Sequence, residues 1–424
     1  MVDPMESFAD KLKALGVQLG MKENAATHPG KVSHPIESVL SGREDETPFG
    51  RTFIFERHTS ADDRQGQIPF GLRPDLSVLS AWRKNPNLAG IPIHRILYLD
   101  TETSGLAGGT GTFAFMVGVG YIDEEGFHLY QLFLRHPAEE TALLASLTRI
   151  VQNFDVIVTF NGASFDIPLL NTRHTLNSIQ SPFPERLHVD LLPLARRLWR
   201  NRLPSRRLGN LEIEILRLSR SEEEVPGWLV PEMYHDYILS GDARPLAGVF
   251  YHNEMDIRSL GALFLHCADL LTHPMAYIAE EGLDLVAIGR LFEELGQPQK
   301  ALEFYNAGMN AGLPQDFYLQ TLLRYAEIHR KVGEMQQACE LWTKAANLDC
   351  AEACIHLAKY YEHQRREFHQ ALFWTERALR LTLVKNPIEK YSTELLTAPL
   401  QARLERLKKK IAGRSPSENV LHSE

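Results

Sequence analysis

Three consecutive β-strand patterns, followed by alternating helices and strands, constrain the fold of this chain most. The segments "RILYLD", "TFAFMVGVGYID" and "GFHLYQLFLR" are apolar runs joined by turn signals, which predicts an antiparallel meander. "PAEETALLASLTRIVQNF" then has apolar residues at helical spacing, and "DVIVTFNG" and "LHVDLLPLARRLW" each begin as a strand. This order predicts an α/β protein with a mixed sheet, in which three antiparallel strands precede parallel strands flanked by helices.

The strand pattern stops at Pro274, and the following hundred residues have helical periodicity alone. Three segments of this region align with one another, because Ala301, Ala338 and Ala371 lie 37 and 33 residues apart. A period near 34 is typical of tetratricopeptide-like helical repeats, and a plain helical bundle is the alternative.

These patterns divide the chain into four parts. Residues 1–50 are polar and rich in turn signals and are expected to form a loosely ordered lead-in. Residues 51–275 form the mixed-sheet domain, residues 280–385 the helical repeats, and residues 386–424 a helix followed by a disordered tail.

The composition excludes several classes of protein. A net charge of −9 over 424 residues argues against a protein that coats DNA, and four cysteines are too sparse for a disulfide framework. The first residues contain acids and lack the apolar core of a signal peptide. The apolar run "FAFMVGVGYI" has about half of the ~20 residues of a membrane-spanning helix. We therefore expect a cytoplasmic protein without membrane contacts.

Two acids follow the first predicted strand directly, at Asp100 and Glu102. Residues two apart on a strand point to the same face, so both carboxylates could converge on one cation. Like charges this close repel each other, and a divalent cation is a common way to offset that cost. A helix cap or a solvated turn is the alternative for an isolated pair.

Further acids occur later in the chain, each with a structural alternative. Asp166 follows the turn in "VTFNGASFDIPLL" and could cap a helix. His252 and Asp256 lie four residues apart, hence on one helix face, where they could form an ordinary salt bridge. Asp190, in "HVDLLPLARR", either contacts the metal ligands without binding the metal itself or caps the next helix.

Together, these motifs resemble those of a known enzyme superfamily. The order D-x-E, N-G-x-x-F-D and H-x-x-x-D is similar to the DEDD exonuclease superfamily of ribonuclease H-like folds, and more closely to its bacterial YprB-like group. "YLDTETSGLAGGTGTFAF", "GWLVPEMYHDYILSGD" and "YHNEMDI" carry the resemblance, which covers roughly residues 45 to 275. It implies a ribonuclease H-like fold and a metal-dependent exonuclease that degrades single-stranded DNA or RNA from the 3′ end.

The resemblance also implies a role for each acid. Asp100 would bridge two divalent ions, Mg²⁺ or Mn²⁺, and Glu102 and Asp256 would complete the shell of the first ion. Asp166 would hold the second ion, partly through water. Two such ions about 4 Å apart activate an attacking water and stabilise the leaving oxygen of a phosphodiester.

The fifth residue of the DEDD pattern departs from the families. They place a histidine five residues before the last aspartate or a tyrosine four before it, whereas here Tyr251 holds the first place and His252 the second. We assign the helper role to His252, because an imidazole titrates near neutral pH and can orient or deprotonate water.

A cluster of arginines without an intervening acid predicts contacts to phosphates. The segment "ARRLWRNRLPSRRLGN" contains six of them, and Trp199 within it could stack on a base. A solvated helix and loop is the alternative. The predicted substrate-binding residues are Asn161, Arg196, Arg197, Arg200, Arg206 and Arg207.

The glycine-rich segment "GLAGGTGTF" lacks the lysine that ends a phosphate-binding loop and precedes a strand rather than a helix. We expect its glycines to let the first hairpin bend beside the acids; they are Gly105, Gly108, Gly109 and Gly111.

Two functions from different classes follow from the sequence. The first is a metal-dependent nuclease whose helical repeats recruit a protein partner or steer the substrate. The second is a non-catalytic scaffold that binds nucleic acid, in which the repeats carry the main function. The presence of all four acids favours the nuclease, since a protein that only binds has no chemical need of them.

Overall fold

The structure is a computed structural model that describes residues 34–105, 111–219, 225–273, 281–385 and 390–413. For residues 384–385 and 390–396 it describes the backbone alone. The first part of the expected lead-in, Gly108, Gly109 and the tail that was expected to be disordered lie outside the described residues.

A seven-stranded mixed sheet forms the centre of the first part of the chain. The strands of the described residues are β1 (Arg43–Thr47), β2 (Gly50–Ser60), β3 (Arg64–Gln65), β4 (Ile68–Pro69), β5 (Ile96–Thr103), β6 (Ala114–Ile122), β7 (Gly126–Phe133), β8 (Val156–Thr159) and β9 (Leu187–Asp190). The sheet order is β1-β2-β7-β6-β5-β8-β9, and β3 and β4 pair separately. The strands β5, β6 and β7 are antiparallel, whereas β8 and β9 join β5 in parallel. This confirms the predicted ribonuclease H-like mixed sheet.

Helices cover the sheet and form the whole of the later region. Those of the sheet domain are α1 (Ile36–Val39), α2 (Ser77–Arg83), α3 (Glu140–Val151), α4 (Asp166–Leu176), α5 (Leu191–Trp199), α6 (Leu208–Leu211), α7 (Val230–Ser240) and α8 (Leu246–Thr272). Those that follow are α9 (Gly282–Glu294), α10 (Pro298–Ala311), α11 (Gln315–Lys331), α12 (Met335–Asn347), α13 (Ala351–Tyr360), α14 (Phe368–Lys385) and α15 (Lys390–Ala412). Among the described helices, none combines the length and apolar character that crossing a membrane requires.

Strand β5 lies between two hydrophobic cores. Ile96 and Tyr98 pack in one core with residues of α5, α8 and α9, and Leu97 and Leu99 pack in the other with residues of α3 and α7. Because successive side chains of a strand point to opposite faces, a continuous apolar run is what a sheet covered on both faces requires.

The interpretation of residues 34–50 as a loosely ordered lead-in is wrong. Residues 43–47 form β1, which pairs with β2 at the edge of the sheet. The segment is polar, but its buried Asp45 accepts hydrogen bonds from Ser146 and Arg149 of α3 and from Arg43. These partners offset the cost of burying the carboxylate, which the turn-rich local sequence does not reveal.

The helical region places the aligned alanines at equivalent buried positions. Ala301, Ala338 and Ala371 lie early in α10, α12 and α14, and each has no exposed surface. Small residues there let neighbouring helices approach closely. The assignment to tetratricopeptide repeats and the recruitment of a protein partner stay predictions.

A half-buried ion pair joins the helical region to the sheet domain. Arg202 Nη2 lies 2.8 Å from Asp284 Oδ2, and the two side chains are 14% and 18% exposed. Burial raises the pKa of Asp284, and the guanidinium of Arg202 opposes that rise.

We expect Asp284→Ala to lower the free energy of unfolding by about 2 kcal/mol, because it leaves the Arg202 guanidinium buried without its partner. The matched control is Glu294→Ala, which removes the 68% exposed partner of Arg197 and is expected to cost less than about 1 kcal/mol. Urea unfolding of both variants measures this difference, and equal losses would contradict it.

Candidate functional site

The fold brings the acid motifs to one edge of the sheet. Asp100 and Glu102 lie near the carboxyl end of β5, and the loop after the parallel strand β8 leads to Asp166, the first residue of α4. Helix α8 packs across β5 and β6 and carries His252 and Asp256. Four acids that are far apart in the sequence therefore gather where parallel strands end.

The electrostatics of these acids show that they act on one another. Burial raises the pKa of Asp100 well above its usual value, and the carboxylates of Asp166, Asp256 and Glu102 raise it further. Burial also raises the pKa of Glu102 to about 7, an effect that the nearby His252 opposes. The pKa of Asp166 is raised by burial as well. In the protein alone, the charged forms of these carboxylates are therefore unfavourable.

A chain of amide side chains orients Asp100. Asn253 Nδ2 donates a hydrogen bond to Asp100 Oδ2 at 3.2 Å, and Asn253 Oδ1 accepts one from Gln131 Nε2 at 2.9 Å. Gly118 pairs with Asp100 across β5 and β6, and a Cβ atom at this position would lie 2.1 Å from Asn253 Oδ1. Position 118 therefore has to be a glycine for Asn253 to reach the acid.

Thr101 orients Asp166 by donating a hydrogen bond from its Oγ1 to Asp166 Oδ1 at 2.6 Å. The helix begins at Asp166 itself, and the residue at the N-cap position, Phe165, provides no side-chain hydrogen bond. Asp166 therefore does not act as the N-cap that the sequence left open as an alternative.

Asp190 holds the loop that leads to Asp166. Its carboxylate accepts hydrogen bonds from the backbone N–H groups of Asn161 at 2.8 Å, Ala163 at 3.2 Å and Leu192 at 3.0 Å. Asn161 adopts the left-handed conformation, with φ of 68°. Asp190 thus caps α5 and at the same time fixes the turn between β8 and α4.

His252 lies within the acid cluster. Its Nε2 is 3.6 Å from Asp256 Oδ2, and its proximity lowers the pKa of Glu102. The i,i+4 pair is therefore formed, but both of its members also belong to the acid cluster. The backbone of Gly227 passes close by, since a Cβ atom there would lie 3.6 Å from His252 Nε2.

A cleft of about 530 Å³ opens beside the acids. It is lined by Asp100 and Asp256, and the predicted substrate-binding residues that also line it are Asn161, Arg196, Arg206 and Arg207. The other two predicted arginines are not among its described lining residues. Arg197 pairs with Glu294 of α9 at 2.9 Å, and Arg200 faces a neighbouring cleft.

The prediction that Trp199 stacks on a base is wrong. Its side chain is 1% exposed and packs in the core near His266, with ring centroids 6.3 Å apart, because the apolar face of α5 is turned inward. Exposed aromatic rings occur instead at Phe165, directly before Asp166, and at Trp228, directly after Gly227.

Another group of metal-binding residue types lies away from the acids. Donor atoms of His58, Glu125 and His128 all lie within 4.8 Å of one another. His128 pairs with Tyr121 near the far end of β6, whereas Glu102 pairs with Met116. This group is therefore at the opposite end of the strands.

Sequence reasoning missed Thr101, Gln131 and Asn253 as orienting residues. Asn253 lies three residues before Asp256 and so shares its helix face, which is a signal that could have identified it. The role of Gln131 depends on strand pairing and has no local signal.

The chain is similar in sequence to known proteins. Residues 97–267 match the RNase_H superfamily. The chain is 33% identical over 427 residues to "Uncharacterized protein YprB" of Bacillus subtilis (strain 168), a match that covers 95% of this chain and 99% of that protein. A solved structure, the family B DNA polymerase from the hyperthermophilic archaeon Pyrobaculum calidifontis, is 19% identical with a TM-score of 0.34. The match covers 53% of this chain but only 30% of the polymerase chain.

Proposed function

This chain belongs to the same protein family as YprB of Bacillus subtilis, and we propose that it is a metal-dependent nuclease that hydrolyses phosphodiester bonds. Its substrate is single-stranded DNA or RNA, degraded from the 3′ end. The observation that carries the proposal is the cluster of four acids, in which burial and mutual repulsion raise the pKa of Asp100. Such a cluster is unfavourable in the protein alone and becomes favourable when cations neutralise it.

The donor set fits hard divalent cations. Asp100, Glu102, Asp166 and Asp256 offer carboxylate oxygens alone, which suit Mg²⁺ or Mn²⁺. When bound, such ions activate a water molecule for attack and stabilise the leaving oxygen of the phosphodiester.

The residues of the chain itself supply orientation and proton transfer. Asn253 and Thr101 fix the carboxylates of Asp100 and Asp166 by hydrogen bonds. In this proposal His252 orients a water molecule and accepts its proton at the imidazole.

Substrate binding in this proposal relies on the arginines and the exposed aromatic rings. Arg196, Arg206 and Arg207 line the cleft together with two of the acids, and guanidinium groups bind phosphates through paired hydrogen bonds. The rings of Phe165 and Trp228, 61% and 68% exposed, offer faces on which unpaired bases stack.

Degradation of end-labelled oligonucleotides with Mn²⁺ tests the proposal. On single strands, a label at the 5′ end is expected to give a ladder of shortening products, and a label at the 3′ end is expected to be released at once as a mononucleotide. The two results together distinguish 3′ to 5′ exonuclease action from internal cleavage. If the protein binds oligonucleotides but cleaves no DNA or RNA substrate, the non-catalytic scaffold is supported instead.

The identity of the helper residue is a separate prediction. We expect His252→Gln to lower kcat by about 10²-fold, since general base catalysis contributes at least that much. Tyr251→Phe, one residue earlier on α8, is expected to change kcat by less than about threefold, within the range of a lost peripheral contact. Steady-state rates on one oligonucleotide decide between them, and a larger loss in Tyr251→Phe would reverse the assignment.

A further inference from the structure

A second cleft, of about 400 Å³, lies between α5 of the sheet domain and the helical region. Its charged lining consists of five arginines and one glutamate: Arg196, Arg197, Arg200, Arg290, Arg324 and Glu294. Arg290 belongs to α9 and Arg324 to α11, so both parts of the chain contribute. Arg196 lines this cleft and also the cleft beside the acids, which makes the two clefts neighbours along one surface.

Acidic side chains balance only part of this positive charge. Arg197 pairs with Glu294 at 2.9 Å and Arg324 with Glu293 at 3.3 Å. Across the described ranges of the chain, the guanidinium groups of Arg196, Arg200 and Arg290 have no carboxylate partner within ion-pair distance.

Arg290 is the most constrained of these groups. Its Nε atom is buried without a hydrogen-bond partner, and one terminal nitrogen donates a long hydrogen bond of 3.4 Å to Gln320. Burial lowers the pKa of Arg290, and the neighbouring charges of Arg324, Arg197 and Arg200 lower it further. An anion bound here would offset the repulsion between the arginines and accept a hydrogen bond from the unused donor of Arg290.

We propose that this cleft binds backbone phosphates of a single-stranded nucleic acid, upstream of the part that lies beside the acids. The inference rests on the proposed function, because the shared residue Arg196 is what connects the two clefts into one path. A polyanion with a charge on each nucleotide can occupy both clefts at once, whereas an isolated phosphate cannot. The helical region then contributes to substrate binding through Arg290 and Arg324.

Binding of fluorescent oligothymidylates of increasing length, measured by anisotropy in EDTA, tests this inference without hydrolysis. The variant is Arg200→Gln combined with Arg290→Gln. We expect it to bind long strands roughly tenfold more weakly and to lower the slope of log K against log salt by about 1.4, as the loss of two phosphate contacts requires. Short strands that occupy only the acidic cleft are expected to bind as they do to the unmodified protein.

Two control variants test whether the weaker binding comes from the arginines of the second cleft. Arg380→Gln removes an exposed arginine of α14 and is expected to leave the length dependence unchanged. Arg200→Gln alone removes a side chain without a carboxylate partner in the described residues and is expected to give about half of the change in salt slope.

The outcomes separate this inference from the proposed function. If the unmodified protein cleaves and the double variant binds long strands equally well, the inference is overturned and the nuclease stands. If binding weakens as expected but no cleavage occurs, the inference stands without the nuclease. If polyglutamate binds in an Arg290-dependent manner and oligothymidylate does not, the cleft is a site for an acidic protein and the inference is overturned.

Discussion

Asp100→Asn is expected to lower the rate of phosphodiester hydrolysis by at least about 10³-fold, which corresponds to a loss of several kcal/mol of transition-state stabilisation by the metal site. Asp100 is the acid on which the charges of the other three acids act, so it is the central ligand of the proposed centre. Asparagine retains its shape and an oxygen for the hydrogen bond from Asn253. Single-turnover rates with Mn²⁺ and excess protein measure the effect on chemistry.

The matched control is Asp62→Asn, which changes an exposed aspartate in the turn after β2. We expect its rate to stay within about twofold of the unmodified protein, because a surface charge far from the reacting atoms contributes little. An Asp100→Asn protein that remains folded and keeps most of its activity would refute the assignment of the centre.

Glu102→Gln is expected to stabilise the metal-free protein, by an amount that depends on pH. Because the folded-state pKa of Glu102 is raised to about 7 from 4.5, folding favours its protonated form. Its contribution to stability is therefore fully present below about pH 4.5 and is lost as pH rises through about 7. At pH 8 the variant should exceed the unmodified protein in free energy of unfolding by on the order of 3 kcal/mol, and near pH 4.5 by almost nothing.

Comparing Glu102→Gln with the unmodified protein at each pH isolates the contribution of Glu102 to the free energy of unfolding. Buried histidines such as His266, whose pKa is lowered to about 4, make the folded protein less stable as the pH falls below about 6.5. This effect is the same in both proteins and cancels when their free energies of unfolding are subtracted. Urea unfolding in EDTA gives the difference directly. Mg²⁺ should remove the advantage of the variant, because the cation then binds the carboxylate. If Glu102→Gln is less stable than the unmodified protein at pH 8 in EDTA, the repulsive cluster does not exist.

Local sequence patterns were sufficient for the parts of the fold that depend on burial. The run from Ile96 to Leu99 is apolar at every position and predicts its strand without ambiguity. Strand β1 was missed because its residues, Arg43–Thr47, are all polar, and its stability comes from contacts that Asp45 makes about 100 residues later. Interactions at such a distance leave no trace in a local window.

Some residues of the candidate site could also be predicted from local sequence, whereas others depend on the pairing of distant segments. The spacings of the four acids match those expected at the end of a strand or on one face of a helix, so these residues could be proposed from the sequence. Gln131 and Gly118 act only through the pairing of β5, β6 and β7, which no single segment encodes. Arg196, Arg197 and Arg200 are close neighbours in sequence and all line the second cleft, but Arg196 alone of the three also lines the cleft beside the acids.

The position of α8 has a consequence for the biosynthesis of the protein. This helix carries Asp256 and the residue that orients Asp100, yet it follows every strand of the sheet in the chain. During translation, the ribosome releases all the strands before the last acid emerges. A nascent or truncated polypeptide that ends before Leu246 can contain the whole sheet and still lack Asp256, so the proposed metal site is complete only after more than half of the polypeptide has been made.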